Sequence, residues 1–171
     1  MNAVPAIKSS EKVKLSRFSL LKIARRIFPV LILSFIGLFG LSMTSSRPTT
    51  LGVNNDKLSA CPESPNCVST QAVDPEKKME TIPFTASPAE MISKIKNTVE
   101  SNWPRATLVS ETDHYLHYEF RSFLFRFIDD VEFFVNDESS EVHFRSASRV
   151  GHSDLGINRK RMNQVVESLK P

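Results

Sequence analysis

The pattern of apolar and polar positions divides the chain into four segments. Residues 27–43 are continuously apolar and directly follow a basic stretch, so we expect a basic N-terminal segment over residues 1–26 and a signal or membrane-anchor helix over residues 27–46. Residues 47–79 carry four prolines and show neither helical nor alternating periodicity, which predicts an irregular arm. Residues 80–171 carry regular periodicity and are expected to form the folded domain.

Two helices are predicted in this domain. The first begins with Ser87 as N-cap, Pro88 at the first helical position and Glu90 completing a capping box, and Pro104 follows its end. The second covers residues 155–169, with Ser153 or Asp154 as its cap. Each has an apolar stripe at helical spacing. The two stripes are Met91, Ile92, Ile95 and Val99, and Met162, Val165, Val166 and Leu169.

Four strand-like runs lie between the helices, over residues 106–111, 115–122, 126–135 and 141–149. In the second run Leu116, Tyr118 and Phe120 alternate with polar residues, which is typical of a sheet with one buried and one solvated face. The fold class predicted is therefore α+β. We expect a four- to five-stranded antiparallel sheet with two packed helices, preceded by the irregular arm and the N-terminal apolar helix.

The last two strands are expected to form a hairpin with its loop at residues 136–139. That loop places Val131 opposite Phe144 and Asp130 opposite Arg145. A shift by two residues keeps every side chain on its face and places Glu132 opposite Arg145, so both registers remain open. A shift by one residue would mix core and charged positions. Acidic residues facing basic residues across the hairpin is the feature common to both registers.

The charge distribution indicates where the domain resides. The chain has 171 residues and a net charge of +3, and residues 1–26 contain seven Lys or Arg against one acid. This basic start before an apolar run is typical of an export signal. Without residues 1–47 the chain keeps 14 basic and 18 acidic residues. The remaining charge therefore gives no support for nucleic-acid binding. We expect an extracytoplasmic location, the periplasm or thylakoid lumen, with contact to the membrane through the N-terminal segment if it is uncleaved.

Composition excludes several classes of protein. An apolar content of 40% is too high for a disordered chain, and five glycines are too few for a collagen-like one. A multispan membrane protein is also excluded, because a single apolar run is present.

The cysteines and histidines indicate structural roles. Cys61 and Cys67 are the two cysteines of the chain, and an outward location favours a disulfide between them. His114 and His117 are three residues apart, so on a strand they point to opposite faces and cannot chelate a metal together. His143 and His152 have no metal-ligand spacing to the cysteines. We expect neither a metal nor a cofactor.

Three segments of the chain resemble a known family. CPESPNCVS at residues 61–69, FIDDVEF at residues 127–133 and HFRSASRVGHSDLGINRKR at residues 143–161 closely resemble the domain of unknown function 1499 family. The resemblance covers about residues 51–169. The family implies no catalytic residue that can be carried over to this sequence.

A cationic stretch over residues 145–161 is the strongest candidate for a binding site. Its functional interpretation is an anion site for a phosphate or carboxylate, consisting of Arg145, Ser146, Ser148, Arg149, Ser153, Asn158 and Arg159. Its structural interpretation is an ion-pair network in which Asp129, Asp130 and Glu132 neutralise Arg145 and its neighbours. The structural interpretation is favoured over the functional one.

Three functional classes follow from these residues. The favoured one is a non-enzymatic binding or assembly module at a membrane surface, with an anionic ligand or an envelope protein as partner. A hydrolase-type enzyme would use Asp129 and Asp130 with His152 as base, and no residue is assigned a catalytic role. A lipid carrier would use an apolar cavity with walls from Phe123, Phe125, Phe127, Phe133 and Phe134, which more often fill a core.

Overall fold

The computed structural model of the chain describes residues 17–43 and 45–170. Two compact units are present, Met1–Gly37 and Leu38–Pro171. Residues 1–16 of the predicted basic segment lie outside the described residues.

The first helix, α1, spans Arg17–Met43. It begins ten residues before the apolar run, because the preceding Leu, Lys, Ala and Arg residues are good helix formers. Its Lys22–Gly40 segment is long and apolar enough to cross a membrane, with a mean hydropathy of 1.8, and the side chains of residues 22–40 are exposed. Both signal sequences and membrane anchors have this length and apolar composition.

An antiparallel sheet organises the second unit. The elements that follow α1 are β1 (Cys67–Ser69), β2 (Ile82–Pro83), α2 (Pro88–Asn102), β3 (Ala106–Thr112), β4 (Tyr115–Arg121), β5 (Ile128–Asn136), β6 (Glu141–Ser148) and α3 (Ile157–Leu169). The strand order is β1-β6-β5-β4-β3, and β2 also pairs with β6. The predicted α+β class is confirmed. The sheet has six strands among the described residues instead of four or five, because β1 arises within the arm and β2 just after it.

Helices α2 and α3 pack on one face of the sheet and enclose the apolar core. The capping box between Ser87 and Glu90 is present, and both predicted stripes are buried except for Val166, which is partly buried. The largest fully buried apolar side chains of this core are Tyr118, Phe133, Phe144, Ile95, Leu116 and Met162.

The β5–β6 register corrects the one predicted with the loop at residues 136–139. Glu132 lies opposite Arg145 and Phe133 opposite Phe144, while Asn136 already pairs with Glu141. The turn therefore covers residues 137–140. The register shifted by two residues, which was left open as the alternative, is therefore the correct one. Hydrophobic alternation could not distinguish the two, because a shift of two residues keeps every side chain on the same face.

The start of α3 also differs from the prediction. The helix begins at Ile157 instead of residue 155, and Gly156 occupies the N-cap in a left-handed conformation with φ of 77°. Asp154 still serves the first turn, since its carboxylate accepts hydrogen bonds from the Gly156 and Asn158 amides at 3.1 and 2.7 Å.

The second face of the sheet is buried as well, which contradicts the predicted solvated face. His117, Glu119 and Asp130 are each at most 5% exposed. Residues of the arm and Arg149 contact the polar groups of this face, and the charges pair with one another. Burial of a polar face is tolerated because its groups are hydrogen-bonded.

Candidate functional site

A cluster of charged side chains lies on the sheet face opposite the helices. Side chains two residues apart on a strand share a face, so β4, β5 and β6 each contribute to it. Arg149 joins it directly after the end of β6. We call this group the sheet-face cluster, and it consists of His117, Glu119, Asp130, Glu132, Arg145 and Arg149.

Arg149 is the central cation of the sheet-face cluster. Its guanidinium donates to both carboxylate oxygens of Asp130, from Nε at 2.8 Å and from Nη2 at 2.7 Å. The same Nη2 donates to Glu119 Oε1 at 2.6 Å, and the Arg149 side chain is 4% exposed. His117 Nε2 lies 2.8 Å from Asp130 Oδ1. A two-pronged contact of this kind is among the strongest polar contacts in proteins.

These contacts determine the protonation of the two carboxylates. Burial by itself would raise the pKa of Asp130, but hydrogen bonds from Arg149 and His117 outweigh it and hold the pKa below its usual value. For Glu119, hydrogen bonds from Arg149 and Arg47 outweigh burial in the same way and lower the pKa. Both groups are therefore charged at neutral pH and unsuited to act as general acids.

The arm closes over this cluster. Arg47 donates to Glu119 Oε1 from Nε and Nη2 at 3.2 and 2.7 Å, and the Gly52 amide donates to Glu132 Oε1 at 2.8 Å. The Tyr115 hydroxyl donates to that same oxygen at 2.8 Å. The cluster is thus a covered network in which each acid is neutralised or hydrogen-bonded.

Arg145 is held more weakly than Arg149. Its Nη1 lies 3.3 Å from Glu132 Oε2, and its buried Nε has no hydrogen-bond partner among the residues that the structure describes. One longer contact replaces the fork of short contacts made by Arg149. The two arginines therefore differ in how much each one stabilises the fold.

A second polar group lies on the helix side of the sheet. Arg161 donates from Nη2 to Asp129 Oδ2 at 2.6 Å, and its guanidinium lies 4.7 Å from the centre of the Phe120 ring. Ser148 donates to Asp129 Oδ1 at 2.5 Å, while Asn158 donates to Ser148 Oγ at 3.0 Å. This group fastens the first turn of α3 to the ends of β5 and β6.

The structure divides the seven residues of the predicted anion site among four places. Arg145 and Arg149 belong to the sheet-face cluster, whereas Ser146, Ser148 and Asn158 lie on the helix side of the sheet. Ser153 accepts a hydrogen bond from the Leu155 amide in an exposed turn. Arg159 donates to the carbonyl oxygens of Glu76 and Lys78. The seven therefore do not surround one common point, and anion binding by any of them stays a prediction.

The residues of the predicted ion-pair network each find a cation. Glu132 pairs with Arg145, Asp130 with Arg149, and Asp129 with Arg161. Sequence reasoning missed His117 and Glu119, because their alternation with apolar residues indicates a solvated face. It also missed the partner of Arg161, although a cation in the first turn of a helix is a signal that something else holds it there.

The residues of a hydrolase-type site are not gathered together. Asp129 and Asp130 lie on opposite faces of β5, and His152 is exposed in the loop before α3. Among residues 17–43 and 45–170, no three His, Cys, Asp or Glu side chains form a group that could hold a metal ion.

A groove lies between the segment of residues 78–83 and helix α3. Its volume is about 580 Å³. Apolar walls come from Met79, Ile82, Pro83, Val166 and Leu169, and charged residues at its rim are Lys78, Glu80, Arg159 and Lys170. Cations outnumber acids at this rim. The groove thus combines an apolar floor with a positive rim, and one residue of the predicted anion site, Arg159, lines it.

The predicted disulfide is confirmed. Cys61 and Cys67 are joined with their Cα atoms 5.7 Å apart. The bridge closes the loop directly before β1, which pairs with the end of β6.

Comparisons with known proteins give a family without an activity. The family model described as a protein of unknown function, DUF1499, matches residues 57–169, which is more than half of the chain. This confirms the resemblance read from the three sequence segments. No curated protein matches the chain.

Proposed function

We propose that this chain, which belongs to the DUF1499 family of proteins of unknown function, is a non-enzymatic binding module. The module is held at the outer face of a membrane. Its ligand is an anionic amphiphile, a molecule with an apolar body and one acidic group. The groove beside α3 is the binding site. The sequence allows three functional classes. This one agrees best with which polar side chains are buried in ion pairs and which surfaces are accessible to a ligand.

The single observation that carries this proposal is the contrast between the groove and the sheet-face cluster. The cluster holds the chemically versatile side chains, but they are buried, paired and covered by the arm. The groove is accessible, and it has the mixed lining that ligand sites use for binding and orientation. Binding without chemistry therefore agrees better with these surfaces than a reaction does.

The lining of the groove supports the ligand class. An apolar body would contact the exposed Pro83 and the partly buried Val166, whose removal from water favours binding by about 25 cal/mol per Å² of apolar surface. An acidic group would lie near Lys78 or Arg159 at the rim, where a charge-assisted hydrogen bond can fix its orientation. A fatty acid, a lipid and an envelope protein with an apolar C-terminus share this chemistry.

Two features support the location. The Lys22–Gly40 segment of α1 is long and apolar enough for a membrane anchor, and the basic residues before it favour an outward-facing domain. The Cys61–Cys67 bridge agrees with an oxidising compartment, such as the periplasm or the thylakoid lumen.

Filling the groove tests the proposal. Asn163 lines the groove and is exposed, so Asn163→Trp blocks it without disturbing the core, whereas Gln164→Trp on the same helix turn lies outside the groove. The titrated probe is a fluorescent long-chain fatty acid, added to the full-length protein in detergent micelles. We expect Asn163→Trp to weaken binding by about tenfold and Gln164→Trp to leave it within about twofold.

Equal binding by both variants would refute the groove as the site. Competition by an unlabelled phospholipid or by a peptide with an apolar C-terminus then ranks the three sources of the ligand. Failure of the wild-type protein to bind the probe or either competitor would refute the proposed ligand class.

A further inference from the structure

We propose that the hairpin loop of residues 122–127, which we call the aromatic tip, inserts into an anionic lipid surface. This inference concerns a different surface from the groove and does not depend on what the groove binds. The partner is the lipid surface itself.

The aromatic tip exposes two adjacent large apolar side chains to solvent. Phe123 is 78% exposed and Leu124 is 56% exposed. The sequence of this loop, SFLFRF, contains four apolar residues, one arginine and no acid. Adjacent exposed apolar side chains of this size mark a site of contact with another apolar phase.

Basic side chains surround the tip. Arg105 lies in the connection from α2 to β3 with its guanidinium 5.5 Å from the centre of the Phe123 ring, and Arg126 is exposed within the loop. Arg121, the last residue of β4, directly precedes the tip. Aromatic side chains enclosed by arginines suit the boundary between acyl chains and anionic headgroups.

The same end of the sheet carries further exposed apolar groups. β5 begins and β6 ends at this end, so the turn before α3 leaves the sheet beside the tip. Leu155 in that turn is 90% exposed, and Ile157 at the start of α3 is 51% exposed. The apolar surface therefore extends beyond a single loop.

The chain between the apolar segment and the arm is short. Arg47 contacts Glu119, which lies two residues before the end of β4 and therefore beside the tip. Six residues lie between Gly40, the last residue of the apolar segment, and Arg47, and such a stretch extends to at most about 25 Å. If the Lys22–Gly40 segment serves as an anchor, so short a connection keeps the domain within reach of the lipid surface and lowers the entropic cost of contact.

The single tryptophan of the chain provides a built-in probe. Trp103 lies two residues before Arg105, and its ring packs at 6.0 Å against Phe120, one residue before the end of β4. Its fluorescence therefore reports on the neighbourhood of the tip. Full-length protein is reconstituted into vesicles of phosphatidylcholine and phosphatidylglycerol whose acyl chains carry bromine near the headgroup, and quenching is compared with vesicles without bromine.

We expect the wild-type protein to be quenched in these vesicles, and to be quenched less in vesicles of phosphatidylcholine alone. The double variant Phe123→Ser with Leu124→Ser is expected to stay in the vesicles through α1 and to lose more than about half of the quenching. Val73→Ser is the matched control, because Val73 is 97% exposed but lies in the arm, away from the tip. It is expected to behave as the wild type does.

Three results would contradict the inference or a part of it. Unchanged quenching in the double variant would show that the tip does not contact lipid. Absence of quenching in the wild type would show that the tip does not enter the lipid surface. Equal quenching with and without phosphatidylglycerol would reject the preference for an anionic surface.

Discussion

At the scale of the residue, Arg149 is the side chain on which the sheet-face cluster most depends. It joins Asp130 of β5 and Glu119 of β4 through three hydrogen bonds of 2.6–2.8 Å. Its contacts with Asp130 raise the pKa of its guanidinium, so it remains a cation at every pH at which the protein folds. Loss of this cation leaves two buried carboxylates with only His117, Arg47 and Arg121 as partners, which is more costly than the loss of the contacts alone.

Removal of Arg149 should therefore destabilise the fold severely. Arg149→Met is expected to lower the free energy of unfolding by about 3–5 kcal/mol, measured by denaturant titration. Arg145→Met is the matched comparison, since it removes a single 3.3 Å contact to Glu132, and we expect a loss of about 1–3 kcal/mol. A larger loss for Arg145 than for Arg149 would contradict this description of the cluster.

Acid should weaken the same cluster. Asp130 and Glu119 have lowered pKa values in the folded state, so their stabilising effect is complete above the ordinary carboxyl values of 3.8 and 4.5 and is lost as the pH falls through the lower folded values. We expect the free energy of unfolding to decrease below about pH 4.5. Asp130→Asn should flatten this decrease, whereas Glu138→Gln in the exposed hairpin turn should not. Identical slopes for both variants would count against the assignment.

Contacts between residues close in the sequence could be predicted, whereas contacts between distant residues could not. The capping box of Ser87 and Glu90 and the Cys61–Cys67 bridge were predictable, because each depends on nearby positions or on the compartment. The burial of His117 and Glu119 was not, because it depends on Arg47 and Arg149, which are distant in sequence. Alternation alone cannot distinguish a polar face in solvent from one covered by another segment.

At the scale of the element, the arm acts as a cover for the second sheet face. The Gly52 amide reaches Glu132 from a backbone conformation with φ of 116°, which side chains other than glycine rarely adopt. An added Cβ at Gly52 would meet no atom within 4 Å, so a substitution there is opposed by the backbone conformation alone.

Gly52→Ala should therefore loosen the arm. We expect a loss of about 1 kcal/mol in the free energy of unfolding and faster hydrogen exchange of the residue 52 amide. Val53→Ala is the control, because Val53 is exposed and adjacent. Unchanged exchange in Gly52→Ala would show that the amide is not held by Glu132.

Helices and strands that are long enough to show a periodic apolar pattern could be predicted from the sequence, whereas shorter strands could not. The four long strands and both packed helices were predicted with shifts of a few residues at their ends. β1 and β2 have three and two residues, too few for alternation to be visible, and they exist only because β6 offers an edge for pairing. The hairpin register was left open between two alternatives that apolar patterning cannot separate.

At the scale of the whole molecule, the folded domain has an apolar core on the helix side of the sheet and a buried charged cluster on the other side. Ion pairs hold the arm, the sheet and α3 together, while the groove and the aromatic tip remain accessible. This contrast between buried, paired charges and accessible apolar surfaces is the main reason to look for the function outside the sheet-face cluster.

The proposed extracytoplasmic location predicts the state of the two cysteines. Protein isolated from its native membrane without reductant should show no free thiol at Cys61 or Cys67, because an oxidising compartment maintains the bridge. Replacing both with Ala should cost roughly 2 kcal/mol of stability, as expected for closing so short a loop. Complete labelling of both thiols in the native protein would argue against export.

One crossed comparison on the full-length protein tests the central claim, that the charged cluster holds the fold while the groove binds the ligand. The free energy of unfolding and the dissociation constant for the fluorescent fatty acid are measured for Arg149→Lys and Asn163→Trp. Arg149→Lys should lose about 2 kcal/mol of stability and keep its affinity within about twofold, since a lysine cannot form the fork to Asp130. Asn163→Trp should keep its stability and lose affinity. An Arg149→Lys protein that is as stable as the wild type but no longer binds would contradict the account.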